Sequence, residues 1–267
     1  MSFLRKAVLV NTTQFICLVI GVLQAAILSR VLGPSGIGQY ALILSTLMLA
    51  TQLSSLGFPL SFLYHSKKEN KNVNLYRMNT VWAVILFGLI GGIVTTMIIS
   101  FNPDYFGSVP LIVIFGIILY VPINLQSIIA RNNLMIKIEA KRLSIMKLSI
   151  SIIGVGLVVF FFLIGRLGVT EALFCFFSLA VTRLAFGAYW MKGDLDFSIV
   201  PNLKTVLRIG WMGIRLSSMD LMVLVNGQIN ILIIKYLVNN FESVGYFSRG
   251  QSVAMLAVTA GRAVMPL

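Results

Sequence analysis

The chain has 267 residues, 58% of them hydrophobic and only 11% charged, with a mean hydropathy of +0.95. Soluble domains run near 45–50% apolar and roughly 25% charged, so an ordinary aqueous globule is excluded, as is a disordered chain, which needs low hydrophobicity. The 21 Lys and Arg against 8 Asp and Glu give +13 and a pI near 10.1. In a soluble protein that excess would raise nucleic acid as a partner. Here the cations fall mainly in short breaks between apolar runs, so no nucleic acid is expected and membrane topology is the commoner explanation.

About 20 apolar residues span a bilayer core of roughly 30 Å. Eight such segments follow in order: 7–29, 39–63, 78–100, 109–130, 148–165, 169–190, 211–234 and 244–266. Each must satisfy its backbone N–H and C=O groups internally, as a helix or as a strand of a closed barrel. Barrel strands are about ten residues with strict alternation, whereas these runs are long and nearly continuous. The fold class is therefore all-α: a polytopic membrane helical bundle. The start, with Arg5 and Lys6 before an apolar run, mimics a signal peptide, but it is long enough to span and reads as a retained first helix. Cys17 and Cys175 lie inside apolar runs and imply neither a disulfide framework nor a metal site.

The cations alternate from break to break. Fourteen (Arg5, Lys6, Lys67, Lys68, Lys71, Arg77, Arg131, Lys137, Lys141, Arg142, Lys147, Lys192, Lys204 and Arg208) fall on one side, and only Arg30, Arg166 and Lys235 on the other. The positive-inside rule then puts the N-terminus in the cytoplasm. Residues 131–147 mix five cations with Leu134, Ile138 and Ile145, which predicts a helix lying along the inner interface. Residues 191–210, with Asp194, Asp196 and Pro201, form the longest break. They mark a boundary between a six-helix unit, 1–200, and the first two helices of a second unit, 201–267.

A repeat supports that boundary. Segment one closes on Arg30 and resumes at Gly38-Gln39-Tyr40; segment seven closes on Lys235 and resumes at Gly245-Tyr246-Phe247. The two segments point the same way, as in a parallel repeat about an axis along the membrane normal.

The stretch Arg30-Val31-Leu32-Gly33-Pro34-Ser35-Gly36-Ile37-Gly38-Gln39-Tyr40-Ala41 resembles the first external loop of bacterial polysaccharide flippases, the O-antigen and capsule-repeat exporters. Val244-Gly245-Tyr246-Phe247-Ser248-Arg249-Gly250-Gln251 with Met265-Pro266, and Ala130-Arg131-Asn132-Asn133 with Lys137 and Ala140, are similar to their colanic-acid-exporter branch. These proteins belong to the multidrug/oligosaccharidyl-lipid/polysaccharide exporter superfamily and carry two six-helix lobes. The resemblance implies a transporter in the bacterial inner membrane that moves an undecaprenyl-pyrophosphate-linked oligosaccharide from the cytoplasmic to the outer leaflet by alternating access. It implies membrane lipids and polysaccharide polymerase or assembly proteins as partners. It also makes this chain an N-terminal fragment, one lobe plus the start of the next.

No catalytic constellation is present, so an enzyme is not expected. The lone histidine, His65, has no neighbouring carboxylate, and no Gly-rich loop carries a Walker lysine. No cofactor and no metal are expected. Gly88 and Gly92 form a GxxxG whose default role is helix packing.

Ionisable residues inside spans are functional-site hypotheses, because burying a charge there costs at least about 2.5–3.5 kcal/mol. Arg183, Arg215, Arg249 and Arg262 qualify, and apart from Glu171 at the outer edge of segment six only Asp220 answers them within the spans. The arginine fork binds phosphate oxygens bidentately and stays charged at any depth. With Arg30 at the end of segment one, these are the candidate ligands of an anionic head group; for Arg215 and Arg262 the alternative is snorkelling to the interface. Gln24, Gln52, Asn226, Gln228 and Asn230 are candidate readers of sugar hydroxyls, or else interhelical hydrogen bonders. Asp220 is the candidate ion-coupling carboxylate. Two rival functions remain: a cation-coupled multidrug exporter of the same superfamily, and a non-transporting scaffold or uncoupled lipid scramblase. Segments one to five hold no Asp or Glu, which weighs against the first.

Overall fold

The computed structural model of the protein describes residues 3–68, 73–137, 139–192 and 201–264, with side chains described from residue 8 to residue 255. Every element among them is helical: α1 (Phe3–Ser55), α2 (Phe58–Lys68), α3 (Val73–Phe101), the short α4 (Pro103–Phe106), α5 (Leu111–Ile136), α6 (Ala140–Leu163), α7 (Val169–Met191), α8 (Leu203–Val238) and α9 (Phe241–Val264). Six of these helices are long and apolar enough to cross a membrane. The chain is a multi-pass, all-α membrane protein.

At 1.5 Å per residue, the 53 residues of α1 would extend about 80 Å, far beyond one bilayer. The helix is in fact a hairpin. Gly33 sits at φ 64, ψ −178, a left-handed conformation that glycine adopts without steric cost. Pro34 opens the second arm, where its fixed φ suits a first helical position. The sequence expectation of a loop over 30–38 is corrected here: only Gly33 leaves the helix. A second break at Leu56 (φ 42) and Gly57 (φ 70) divides the expected segment 39–63 and starts α2.

Cross-helix contacts fix which ends lie together. Asn132 Nδ2 donates to the Pro59 carbonyl at 2.9 Å, Arg77 to Asn133 Oδ1 at 2.9 Å, and the Asn202 N–H to Asn79 Oδ1 at 2.7 Å. At the opposite end, Gln39 donates to the Phe106 carbonyl at 3.1 Å and the Tyr105 hydroxyl to the Leu232 carbonyl at 2.5 Å. These contacts bring the matching ends of segments two, three, four and seven together, as alternation requires. One end gathers Lys67, Lys68, Arg77, Arg131, Lys137, Lys141, Arg142, Lys147, Lys192, Lys204 and Arg208; we call it the basic end. The other carries Arg30, Arg166 and Lys235. Lys71, Asp194, Asp196 and Ile138 lie outside the described residues, as do the side chains of Arg5 and Lys6.

The interfacial helix expected over 131–147 is not formed. Arg131–Ile136 complete α5 and Ala140–Lys147 open α6, with only a short break between. The polar run survives inside the bundle because its amides have partners: Asn132 holds Pro59, and Asn133 holds Arg77, which also donates to Asn74 Oδ1 at 2.9 Å. His65 is likewise buried, stacked on Tyr76 with ring centroids 4.8 Å apart.

The core lies between the second arm of α1 and helices α2, α3, α5 and α7, where Leu42, Ile43, Leu47, Phe62, Val84, Ile117, Val121, Leu125 and Ile129 have no measurable exposure. Gly88 and Gly92 of α3 press on the backbone of α5 at Pro122 and Ile118. This is the close approach that small-xxx-small spacing permits. Helices α8 and α9 pack against α1 and add Ile209, Ile231 and Val244 to the same core.

Candidate functional site

The repeated Gly-aromatic pairs meet face to face. A Cβ on Gly38 would collide with the Phe241 carbonyl and lie 3.0 Å from the Gly245 nitrogen. A Cβ on Gly245 would collide with the Pro34 carbonyl and lie 3.2 Å from the Gly38 nitrogen. Each glycine thus sits over the carbonyl four residues before the other, a reciprocal contact of the kind a two-fold axis produces. The second arm of α1 and helix α9 cross there with no side chain between them.

Two cavities lie in the seam beside this crossing, sharing Tyr40, Ser248 and Ser252 as walls. One, of about 280 Å³, is lined on α1 by Ser45 and Met48, on α8 by Gln228 and on α9 by Gln251 and Met255. Gln251 Nε2 is fixed by a 2.6 Å bond to the Gly227 carbonyl. The other, of about 380 Å³, is mostly apolar, with Val22, Ala25, Ala26, Leu28 and Val253 around Arg249.

Arg249 is the cation of the seam. Its Nη2 donates to the Ser29 carbonyl at 2.6 Å. Ser29 lies in the last turn of the first arm, four residues before the Gly33 corner, where the carbonyl end of the helix gathers. The guanidinium therefore meets the negative end of a helix dipole. Its Nε is buried and has no acceptor among the described residues. The side chain spans the seam with one terminal nitrogen committed to α1 and a buried Nε left without an acceptor among the described residues, and the residue lines the larger cavity.

The other expected ligands are dispersed. Arg183 is half-buried on α7 and is not among the residues that line either seam cavity. Arg215 is exposed and lies 4.8 Å above the ring of Trp211 on its own helix, the posture of an interfacial anchor. Arg30 is exposed beside the Gly33 corner, and the side chain of Arg262 lies outside the described residues. Lys235 is buried, 3.1 Å from Asn239 Oδ1 and 3.8 Å over the Phe241 ring, where it caps the end of α8.

Of the polar set, Gln228 lines the seam and Asn226 and Asn230 are exposed on α8, with Asn230 donating to the Asn226 carbonyl at 3.1 Å. Gln24 faces α6, its Oε1 against Gly154. Gln52 and Asp220 come together in a third cavity near the basic end, about 150 Å³, with Ser55, Arg131, Asn132 and Ser217. Sequence reasoning missed Ser248, Gln251 and Ser252. Their i, i+3, i+4 spacing marks one face of α9 and was the available signal. Among the described residues no group of three His, Cys, Asp or Glu could hold a metal.

The family model described as polysaccharide biosynthesis protein matches residues 3–262. No curated protein matches the sequence. Three solved structures share the fold: one described only as protein A (TM-score 0.67, 15% identity, 96% of this chain and 62% of that one), an outward-facing multidrug resistance MATE family transporter of the MOP superfamily (0.63, 16%, 97% and 61%), and a mutant MATE protein (0.56, 15%, 94% and 64%). The chain spans about three-fifths of the length of these structures.

Proposed function

The chain belongs to the polysaccharide biosynthesis protein family, and from that premise we propose that it is the transporting part of a flippase for an anionic, lipid-linked oligosaccharide of the undecaprenyl-pyrophosphate class. The observation that carries the reading is Arg249 in the seam between α1 and α9. One wall of that seam is apolar enough for a lipid stem, and the adjoining one, with Ser45, Gln228, Gln251 and Ser252, is polar enough for sugar hydroxyls. The lobes are residues 1–200 and the unit begun by α8 and α9. Alternating access is their rocking about the Gly38–Gly245 crossing. The basic end faces the cytoplasm of the bacterial inner membrane, as its excess of Lys and Arg requires. Polymerase and assembly proteins are the partners that would take the product on.

The chemistry works by differential binding. A guanidinium in a low-dielectric crevice grips phosphate oxygens far more strongly than it would in water. The head group then exchanges water for Arg249 and the seam's hydroxyls and amides while its lipid stem stays in the bilayer. Export of surface polymer in cells that depend on this protein tests the reading. R249A combined with R183A is expected to abolish export, and R249K to rescue it only in part, since an ammonium cannot form the bidentate fork. Normal polymer with both arginines gone overturns the assignment.

One observation favours the multidrug alternative: Asp220 shares a polar cavity with Gln52 and Asn132, a setting in which a carboxylate could hold a cation. Arg131 lines the same cavity and would compete for that carboxylate. Loss of drug efflux in D220N with polymer export intact would favour the exporter; the reverse pattern favours the flippase.

A further inference from the structure

We infer that Arg249 is also a cargo-operated latch: it holds the Arg30-bearing end of the seam shut by its bond to Ser29, and a phosphate group entering the crevice takes the guanidinium from that carbonyl and so releases the end to open. The inference rests on the flippase reading for the identity of the cargo but makes its own claim about motion.

The geometry gives three reasons. First, the crossing that closes this end is a contact between bare backbones, at Gly38 and Gly245. Such a contact has no interlocked side chains at the glycines themselves, and Val244 and Phe241 beside it are the apolar packing that parting gives up. Second, Arg249 is the polar tie beside it. It comes from α9, and its acceptor lies 220 positions earlier on the first arm of α1. A single charge-assisted bond thereby joins the two helices that must separate. Third, the tie is half-made. Nε is buried without an acceptor among the described residues, and a neutral carbonyl offers the fork one oxygen. A phosphate offers two or more oxygens and a full negative charge, so it satisfies both nitrogens. The cavity of about 380 Å³ at the guanidinium gives it room to arrive. A ligand shifts a conformational equilibrium only by its differential affinity for the two states. Here the difference is explicit, because the closed state spends a donor on Ser29 that the open state gives to the ligand.

Spin labels on Ser35 and Glu242, both exposed at this end on either side of the crossing, report the separation directly. The intact protein is labelled with Cys17 and Cys175 replaced by Ala and is reconstituted in lipid nanodiscs. Inorganic pyrophosphate is the probe. The expected result is a short separation in the unmodified seam and a longer population on adding pyrophosphate. R249A should show the longer population without pyrophosphate, its open-to-closed ratio raised about tenfold or more, the usual weight of a hydrogen bond to a charged group, and it should not respond to the probe. An unchanged distance in the parent protein with pyrophosphate, or an equal response in R249A, overturns the latch. Polymer export separates the two readings. Distances that respond while export ignores Arg249 leave the latch standing and sink the cargo assignment. Export that needs Arg249 while the distances ignore pyrophosphate does the opposite.

Discussion

Helices α3 and α5 and helices α1 and α9 touch in the same way, backbone to backbone over glycine, but their surroundings differ. Gly88 and Gly92 press on Pro122 and Ile118 inside a shell of fully buried Val84, Ile117, Val121 and Leu125. Gly38 and Gly245 press on Phe241 and Pro34 beside two cavities, a row of serines and glutamines and one arginine. Close-packed apolar neighbours make the first contact a fixed part of the fold. The second combines the apolar packing of Val244 and Phe241 with polar bonds that a ligand can replace, which suits a moving seam.

The most forceful way to break this comparison is to add the same side chain to both contacts. G92V should act on folding: overpacking a filled core costs about 1–3 kcal/mol, seen as a lower yield and thermal midpoint of detergent-extracted protein. G38V or G245V should leave yield and midpoint close to the parent while transport falls roughly five- to a hundredfold, the same energy expressed as a lost closed state. Equal loss of folding at both sites would erase the distinction.

A charge comparison is next in size. R249A removes a bond to a charged group worth about 1.5–3 kcal/mol and should cut transport about ten- to a hundredfold. R215A, whose guanidinium rests on Trp211, should stay within about twofold, since exposed cation–π contacts contribute only about 0.5–1 kcal/mol. Within the bundle, N133A takes an acceptor from the buried Arg77. It should lower stability by about 1–3 kcal/mol, read as a drop in thermal midpoint, without selectively reducing transport. The smallest effect is expected from E171Q. The Glu171 carboxylate accepts the Gly168 N–H at 2.9 Å, and the side-chain carbonyl of a Gln can accept the same N–H, so stability should change by less than about 0.5 kcal/mol.

What the sequence made legible follows from what lipid demands. Runs of 18 to 25 apolar residues have to be helices, and alternating cations order their ends; the contacts Asn132–Pro59 and Tyr105–Leu232 agree with that order. The breaks were harder. Gly33-Pro34 makes a one-residue corner where composition suggested a loop, and Leu56-Gly57 breaks the run expected over 39–63. The stretch 131–147 looked interfacial because its cations interleave with apolar residues, whereas Asn132 and Asn133 are buried on α5 and paired with Pro59 and Arg77 of neighbouring helices. In the site, Arg249 was legible as an isolated charge. Its partner Ser29 was not, since the acceptor is a backbone carbonyl 220 positions away in the chain. The repeat was visible as a pattern, but that Gly38 and Gly245 touch each other is a fact of packing. Gln24, chosen from helical spacing, turned out to face α6, because spacing defines a stripe without saying which neighbour it meets.

The central claim, that Arg249 grips the phosphate of a lipid-borne sugar, is tested most directly in sealed vesicles containing the intact protein and two glycolipids that differ only in the pyrophosphate link. The account predicts rapid leaflet exchange of the pyrophosphate-linked lipid, little movement of the phosphate-free one, and loss of that difference in R249A. Equal exchange of both lipids by the parent protein, or an undiminished preference in R249A, would contradict it.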